Sequence, residues 1–233
     1  MSNTSRDVES RAGKPFKEPR FTNFFVALIR LLEKIPAIRK YSNESYGGLH
    51  GAIFHNWDIK NYEKATRIAI FGLKKHRNKK SKILPPAIDH HDWWSLMRDG
   101  VDSARHISNS GLKENLIEQA RSGPKPFDGY DVAFSFLEFS KWKYEEQNET
   151  EVFKYATLAS NADSTWGEPD FLLGWYSLVF EREGAECHFE KAIEKDLRKL
   201  AQILANDVCK EFPDIIANLK SKYSIQAVAD LPS

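Results

Sequence analysis

The segment PDFLLGWYSLVFEREGAECHFEKAIEKD, residues 169–196, decides how this chain is expected to fold. Its first part, up to residue 182, carries large apolar residues three and four positions apart, and Gly184 separates it from a second amphipathic stretch, 185–195. Apolar residues at this spacing lie on one face of an α-helix. A short junction between two such stretches favours antiparallel packing of the two helices. The segment therefore predicts a helical hairpin.

The end of this hairpin has a counterpart earlier in the chain. Phe189-x-x-Ala192 is matched by Phe153-x-x-Ala156, 36 residues upstream. Self-similarity at a period of roughly 20 to 50 residues is typical of repeat proteins, in which each unit buries its apolar face against its neighbour. Small alanines allow two helices to approach closely, and an aromatic ring fills the groove between successive hairpins. We therefore expect an all-α fold of stacked antiparallel helical hairpins.

The repeated pattern resembles the tetratricopeptide repeat, and the match is best over residues 131–196. The matching residues are Leu172, Leu173 and Tyr176 in the first helix and Ala185, Phe189 and Ala192 in the second. The match is degenerate, because Glu149 stands where the preceding unit should have a small residue and Leu197 stands at the usual position of Pro. The resemblance implies a right-handed array whose concave face binds peptides or proteins and which has no catalytic chemistry of its own.

The remainder of the chain is also predicted to be helical. The polar segment 1–20 contains two prolines and predicts a disordered tail. Ser122-Gly123-Pro124 is a strong break, so we predict an N-terminal helical subdomain at 21–122 and a C-terminal helical-repeat subdomain at 123–233. Alternating strand patterns are absent. Apolar spacing predicts further helices at 21–34, 46–57, 61–75, 92–107, 112–120, 131–147, 149–160, 197–209 and 214–223.

Composition excludes several classes of protein. The two cysteines, Cys187 and Cys209, are too few for a disulfide framework, and their separation does not match metal-ligand spacing. The first twenty residues lack the apolar core of a secretory signal. The longest apolar run, near residues 24–29, is much too short to span a bilayer. We therefore expect a cytoplasmic protein that does not enter a membrane.

The charges are distributed unevenly, although the net charge is only +1. Residues 1–120 contain 21 Lys and Arg against 13 Asp and Glu, whereas residues 121–233 contain 13 against 20. Such polarity could steer a charged partner, or it could draw the two halves together in the fold. Four glutamates cluster at a predicted helix junction in the acidic half: Glu145, Glu146, Glu149 and Glu151. They predict either a solvated acidic edge or a docking patch for a protein with a basic surface.

Adjacent tryptophans, Trp93 and Trp94, lie on the helix predicted at 92–107. Neighbouring residues on a helix point about 100° apart, so the two rings cannot face one apolar stripe equally. We expect one ring at an exposed edge, where tryptophan is a common binding anchor. The alternative is that a further layer of helices covers it.

The sequence His90-His91-Asp92 offers a catalytic alternative. Together with His50 and His55 it resembles the all-helical HD phosphohydrolases. That resemblance implies a metal-dependent phosphohydrolase in which His91 and Asp92 hold an ion that activates water. The sequence departs from the family, because Pro85-Pro86 precedes the dyad and Trp93-Trp94 replaces the usual glycine. His50 and His55 are also five positions apart and so point in different directions on a helix. In the simpler interpretation, Asp89 or Asp92 caps the next helix and the histidines are surface residues.

A dense basic run, KKHRNKKSK at residues 74–82, could contact the phosphates of a nucleic acid. No aromatic residue is interleaved with it, and a solvated loop at a helix C-terminus explains it without a function. Motifs for nucleophilic catalysis, phosphate loops and dinucleotide binding are absent. The sequence thus favours a non-catalytic, protein-binding helical scaffold without a cofactor, either an adaptor or an immunity protein that occludes a toxin. We expect its partner to be a protein with a basic surface rather than a nucleic acid.

Overall fold

The computed structural model describes residues 45–76 and 89–223, and the regular structure of these residues is entirely helical. This confirms the all-α prediction. The described residues belong to one compact unit. Their helices are α1 (Tyr46–Asp58), α2 (Tyr62–His76), α3 (His90–Ala104), α4 (Ser110–Ser122), α5 (Tyr130–Glu145), α6 (Glu149–Ala162), α7 (Glu168–Val179), α8 (Ala185–Lys195), α9 (Arg198–Ala205), α10 (Asp207–Lys210) and α11 (Pro213–Lys222).

Side-chain caps set several helix starts. Helix α3 begins two residues earlier than predicted, because the Asp89 carboxylate accepts a hydrogen bond from the backbone N–H of Asp92 at 2.8 Å. The helix predicted at 197–209 is divided into α9 and α10, because Asn206 leaves the helical conformation and its side chain caps α10. A short polar side chain that binds nearby backbone N–H groups ends one helix and starts the next.

Several pairs of consecutive helices pack as antiparallel hairpins. In the α5–α6 hairpin, the N–H of Gly129 before α5 donates to the carbonyl of Ala162 at the end of α6, at 2.6 Å. This bond joins the start of the first helix to the end of the second. In the α2–α3 pair, the indole of Trp93 near the start of α3 donates to the carbonyl of Leu73 near the end of α2, at 3.2 Å. Both contacts require opposite helix directions, and the short junction at residues 147–148 predicted this for the α5–α6 hairpin.

Small residues allow the helices to approach closely. A Cβ atom placed on Gly174 of α7 would lie 2.6 Å from the ring of Phe189 on α8. One placed on Gly100 of α3 would lie 2.7 Å from the Cβ of Ala69 on α2. Both distances are shorter than van der Waals contact between carbon atoms. The backbones therefore sit where a larger residue would force them apart.

Within residues 45–76 and 89–223, the buried apolar side chains form one large cluster and two smaller ones. The large cluster includes residues of helices α1 to α6, among them Trp93 and Trp94. It extends across the loop at residues 123–126, because the ring of Trp94 packs against that of Phe136 with centroids 5.5 Å apart. The helices on either side of the loop therefore share a core. The division into subdomains at residues 122 and 123 stays a prediction.

Some predicted features lie outside the described residues. They are the tail at 1–20, the helix at 21–34, the Pro85-Pro86 pair and residues 77–82 of the basic run. Among the residues that are described, no helix is both long enough and apolar enough to cross a membrane.

Candidate functional site

Trp93 and Trp94 are both buried, with 1% and 0% of their surfaces exposed. The expectation that one ring lies at an exposed edge is therefore wrong. The physical reason is that α3 is covered on two sides: Trp93 packs toward the end of α2, and Trp94 packs toward α5. The alternative prediction, that a further layer of helices covers the tryptophans, holds for both rings. They belong to the core and do not form a docking surface.

The predicted acidic patch is neutralised by cations of the same chain. Each of its four glutamates has an ion-pair partner: Glu145 with Lys113 at 3.4 Å, Glu146 with Lys143 at 2.8 Å, Glu149 with Arg182, and Glu151 with Arg121 at 2.6 Å and Lys154 at 2.8 Å. Burial acts to raise the pKa of Glu151, but the hydrogen bonds from Lys154 and Arg121 lower it below its usual value. A partner would have to displace these internal cations, so this cluster offers less free negative charge than the sequence suggests.

The structure does not assemble the histidines into a metal site. Asp89 caps α3, and the exposed ring of His91 stacks on Phe127 with centroids 5.4 Å apart. His50 binds a different residue, Asp99, and the exposed His55 lies one turn further along α1. Within residues 45–76 and 89–223, no group of three or more His, Cys, Asp or Glu side chains is positioned to hold a metal ion. The ligand set that the phosphohydrolase interpretation requires is not assembled there.

A buried carboxylate that sequence analysis missed joins α1, α3 and α5. Asp99 is 1% exposed, and its two oxygens contact His50 Nδ1 at 2.5 Å and Arg98 Nη2 at 2.9 Å. Arg98 also donates to Asp131 on α5 at 3.1 Å. Such a network fixes the three helices in register, since losing either cation leaves the buried Asp99 carboxylate with one partner fewer. No local sequence signal could have revealed it, because His50 and Asp99 are 49 residues apart.

A groove of about 740 Å³ lies where the α7–α8 turn meets α8 and the start of α11. We call it the α8 groove. Its apolar wall is formed by Leu178, Ala185, Phe212 and Ile215, and its acidic rim is formed by Glu181, Glu183, Glu186 and Glu190. A groove of this size, apolar inside with a few charged groups around it, is the usual form of a binding site.

The glutamates of the rim carry more negative charge than the neighbouring side chains neutralise. Glu190 pairs with Lys222 of α11 at 2.7 Å, and Glu186 accepts a hydrogen bond from Asn218 at 3.4 Å. Glu181 and Glu183 are exposed, and neither has an ion-pair partner among the described residues. Arg182 also lines the groove, but its guanidinium pairs with Glu149 and lies over the ring of Phe153, 4.3 Å from the ring centroid. The mouth of the groove is therefore negative.

The backbone of the α7–α8 turn places these carboxylates. Gly184 has a φ of 93°, in the left-handed region that glycine adopts without strain, and it directly precedes α8. Glu181 also has a positive φ, 53°, just after α7 ends. The N–H of Arg182 donates to the carbonyl of Ser177 at 2.7 Å and closes the turn. The chain therefore reverses sharply, with Glu181 and Glu183 at its tip.

The two cysteines differ in accessibility. Cys187 is exposed and lines the α8 groove, whereas Cys209 is 1% exposed. Burial raises the pKa of the Cys209 thiol to about 11. Because the thiolate is the reactive form, Cys209 is protected from alkylation in the folded protein. Cys187 thus provides a natural chemical probe within the groove.

Comparison with protein-family models, with curated proteins and with solved structures finds no match for this chain. The α8 groove can bind a cationic and partly apolar surface. Sequence analysis did not single it out, although four glutamates within residues 181–190 were a visible signal.

Proposed function

We propose that this protein is a non-catalytic helical scaffold that binds another protein with a basic surface, and that the α8 groove is its docking site. One observation carries the proposal: four glutamates surround an apolar wall, and two of them, Glu181 and Glu183, have no ion-pair partner among the described residues. Opposite charges across an interface steer association and select partners. The apolar wall supplies the area whose burial stabilises the complex.

The proposal moves the docking site from the turn between α5 and α6 to the turn between α7 and α8. At the first turn, all four glutamates are engaged by internal cations. At the second turn, Glu181 and Glu183 lie at the tip of a sharp reversal and face solvent. A basic partner would gain new ion pairs there without first breaking internal ones.

The wider proposal is a tetratricopeptide-like array in the cytoplasm that acts by occupying its partner's surface. The hairpins, the small residues between them and the acidic groove all support such a role. An adaptor and a toxin-neutralising immunity protein both fit it. An acidic protein surface that blocks a basic active site needs no catalytic residues of its own. The genes beside this one distinguish the two subtypes, since a toxin gene as neighbour would favour the immunity protein.

The test compares three versions of the chain as bait in a native lysate at physiological salt. The wild type is compared with Glu181→Lys/Glu183→Lys, and with a control, Asp58→Lys/Asp128→Lys, that changes the net charge equally at exposed residues far along the chain from the groove. We expect wild type and control to retain the same protein and the groove variant to lose it. The captured protein is then purified. We expect its Kd to rise about tenfold or more with the groove variant, since reversing two charges removes about 1.4 kcal/mol or more. Equal retention by all three versions would refute the groove as the docking site.

A further inference from the structure

We infer that the part of the partner that enters the α8 groove is a short amphipathic helix with an aliphatic stripe flanked by Lys or Arg. This inference rests on the proposed function and specifies the structure of the docked element. Three features of the groove lead to it: the elements that line it, the kind of residues on its wall, and the way in which α11 already packs beside it.

The first feature is that the groove is lined by helices. Ala185, Cys187 and Glu190 come from α8, and Ile215 comes from α11. Side chains on two neighbouring helices form ridges, and a third helix packs its own ridges into the space between them. An extended peptide that binds by strand addition needs a sheet edge for its backbone N–H and C=O groups. The described part of the chain contains no strand, whereas a helix satisfies its backbone hydrogen bonds internally.

The second feature is the aliphatic character of the wall. Leu178, Ala185 and Ile215 are aliphatic, and Phe212 is the one aromatic residue among those that line the groove. Proline-rich segments bind to grooves lined by several aromatic rings, whereas amphipathic helices bind to grooves of this aliphatic kind. The wall therefore favours leucine-like anchors at positions i, i+3 or i+4, and i+7 of a bound helix.

The third feature is an internal example of the same interaction. Helix α11 lies against α8 and buries Leu219 completely, while its Lys222 pairs with Glu190 at 2.7 Å and its Asn218 donates to Glu186 at 3.4 Å. An aliphatic anchor with a lysine one turn away is thus already recognised by the glutamates of α8. Glu181 and Glu183 continue this acidic rim beyond α11. A second helix with an aliphatic anchor and a lysine could pair with these two glutamates there.

The experiment uses fluorescently labelled synthetic peptides and the full chain. The first probe is a peptide of about 16 residues with leucines in one helical stripe and lysines or arginines on both flanks. The second has the same composition in scrambled order, and the third is the first with a central proline, which breaks the helix. Fluorescence anisotropy gives the Kd, and circular dichroism shows whether the peptide gains helicity on binding.

We expect the striped peptide to bind the wild type about tenfold or more tightly than the other two, and to become helical as it binds. We expect a similar loss with Glu181→Lys/Glu183→Lys and no loss with Asp58→Lys/Asp128→Lys. Alkylation of Cys187 in the wild type with a bulky maleimide blocks the groove without a substitution. The alkylated protein should also bind the striped peptide weakly.

Equal affinity for the striped and scrambled peptides would overturn the inference, since attraction would then depend on charge alone. The lysate comparison reports separately on the proposed function. The groove variant could lose its captured partner while the three peptides bind with equal affinity. In that case the groove is the docking site, but the docked element is not an amphipathic helix. If neither the partner nor any peptide depends on the groove, both proposals fail.

Discussion

The close approach of helices at small residues makes a sharp prediction for Gly100→Ala. The added Cβ would lie 2.7 Å from the Cβ of Ala69 and 3.1 Å from Leu116 Cδ2, and both neighbours are fully buried. The Leu116 side chain can rotate, but the Cβ of Ala69 is fixed to the backbone of α2. Helices α2 and α3 must therefore separate by several tenths of an ångström, and the contacts around Trp93 and Trp94 loosen with them.

Two terms of opposite sign decide the magnitude. Overpacking a well-filled core costs about 1–3 kcal/mol, while replacing glycine by alanine inside a helix stabilises it by about 1 kcal/mol. We expect Gly100→Ala to lower the free energy of unfolding by about 1 kcal/mol after this offset. The matched control is Gly51→Ala, because Gly51 is exposed on α1 and has nothing within 4 Å of the added Cβ. There only the helix propensity acts, so we expect a gain of about 1 kcal/mol.

Urea unfolding followed by circular dichroism measures both variants, and equal m-values would show that the two transitions are comparable. The account predicts a difference of about 2 kcal/mol between two variants that carry the same chemical change. If Gly100→Ala proved as stable as Gly51→Ala, the small residues would not be holding the helices at their closest separation.

Three further predictions concern groups that are buried or partly buried. Asp170 is 2% exposed and receives hydrogen bonds from Lys195 at 2.5 Å and Ser160 at 2.9 Å, so we expect Asp170→Ala to lower the free energy of unfolding by about 3 kcal/mol. The control is Asp207→Ala, because Asp207 is almost fully exposed. In the same urea titration, its free energy of unfolding should equal that of the wild type within error. Burial, and secondarily the positive charge of Lys191, lowers the pKa of His188. Below about pH 6.5 the His188 side chain therefore binds a proton more readily in the unfolded chain than in the folded chain. The free energy of unfolding should fall as the pH drops through this range. His188→Gln should reduce that fall in a pH series of urea titrations, and an unchanged pH dependence would contradict the argument. With the pKa of Cys209 raised to about 11, iodoacetamide at pH 8 should modify one thiol per native chain, and mass spectrometry should detect the second modification only after denaturation.

The features that could be predicted from the sequence are those encoded by neighbouring residues. The hairpin of α7 and α8 lies within one continuous stretch, and its apolar spacing and Gly184 junction are enough to define two helices. The alanines Ala185 and Ala192 are buried, as expected for small residues between closely packed helices. Helix periodicity is a local property, so it remains visible without a structure.

The features that could not be predicted depend on distant residues. Whether Trp93 or Trp94 is exposed depends on α5, which begins more than thirty residues later. The charges of Glu145 and Glu149 suggested a free acidic surface, but Lys113 and Arg182 neutralise them from other helices. The α8 groove exists only because α11 returns to α8 and provides a second wall. Each of these outcomes is set by tertiary packing, which single-sequence patterns do not contain.

The most direct test of the docking site is the rate at which a small alkylating reagent modifies Cys187 in the free protein and in its complex with the purified partner. Cys209, which is buried in the folded chain, serves as the internal reference: its modification would report unfolding. The account predicts that the partner slows modification of Cys187 about tenfold or more at saturation, and that Glu181→Lys/Glu183→Lys removes this protection at the same partner concentration. If Cys187 reacts equally fast with and without saturating partner, the partner binds elsewhere and the α8 groove is not the docking site.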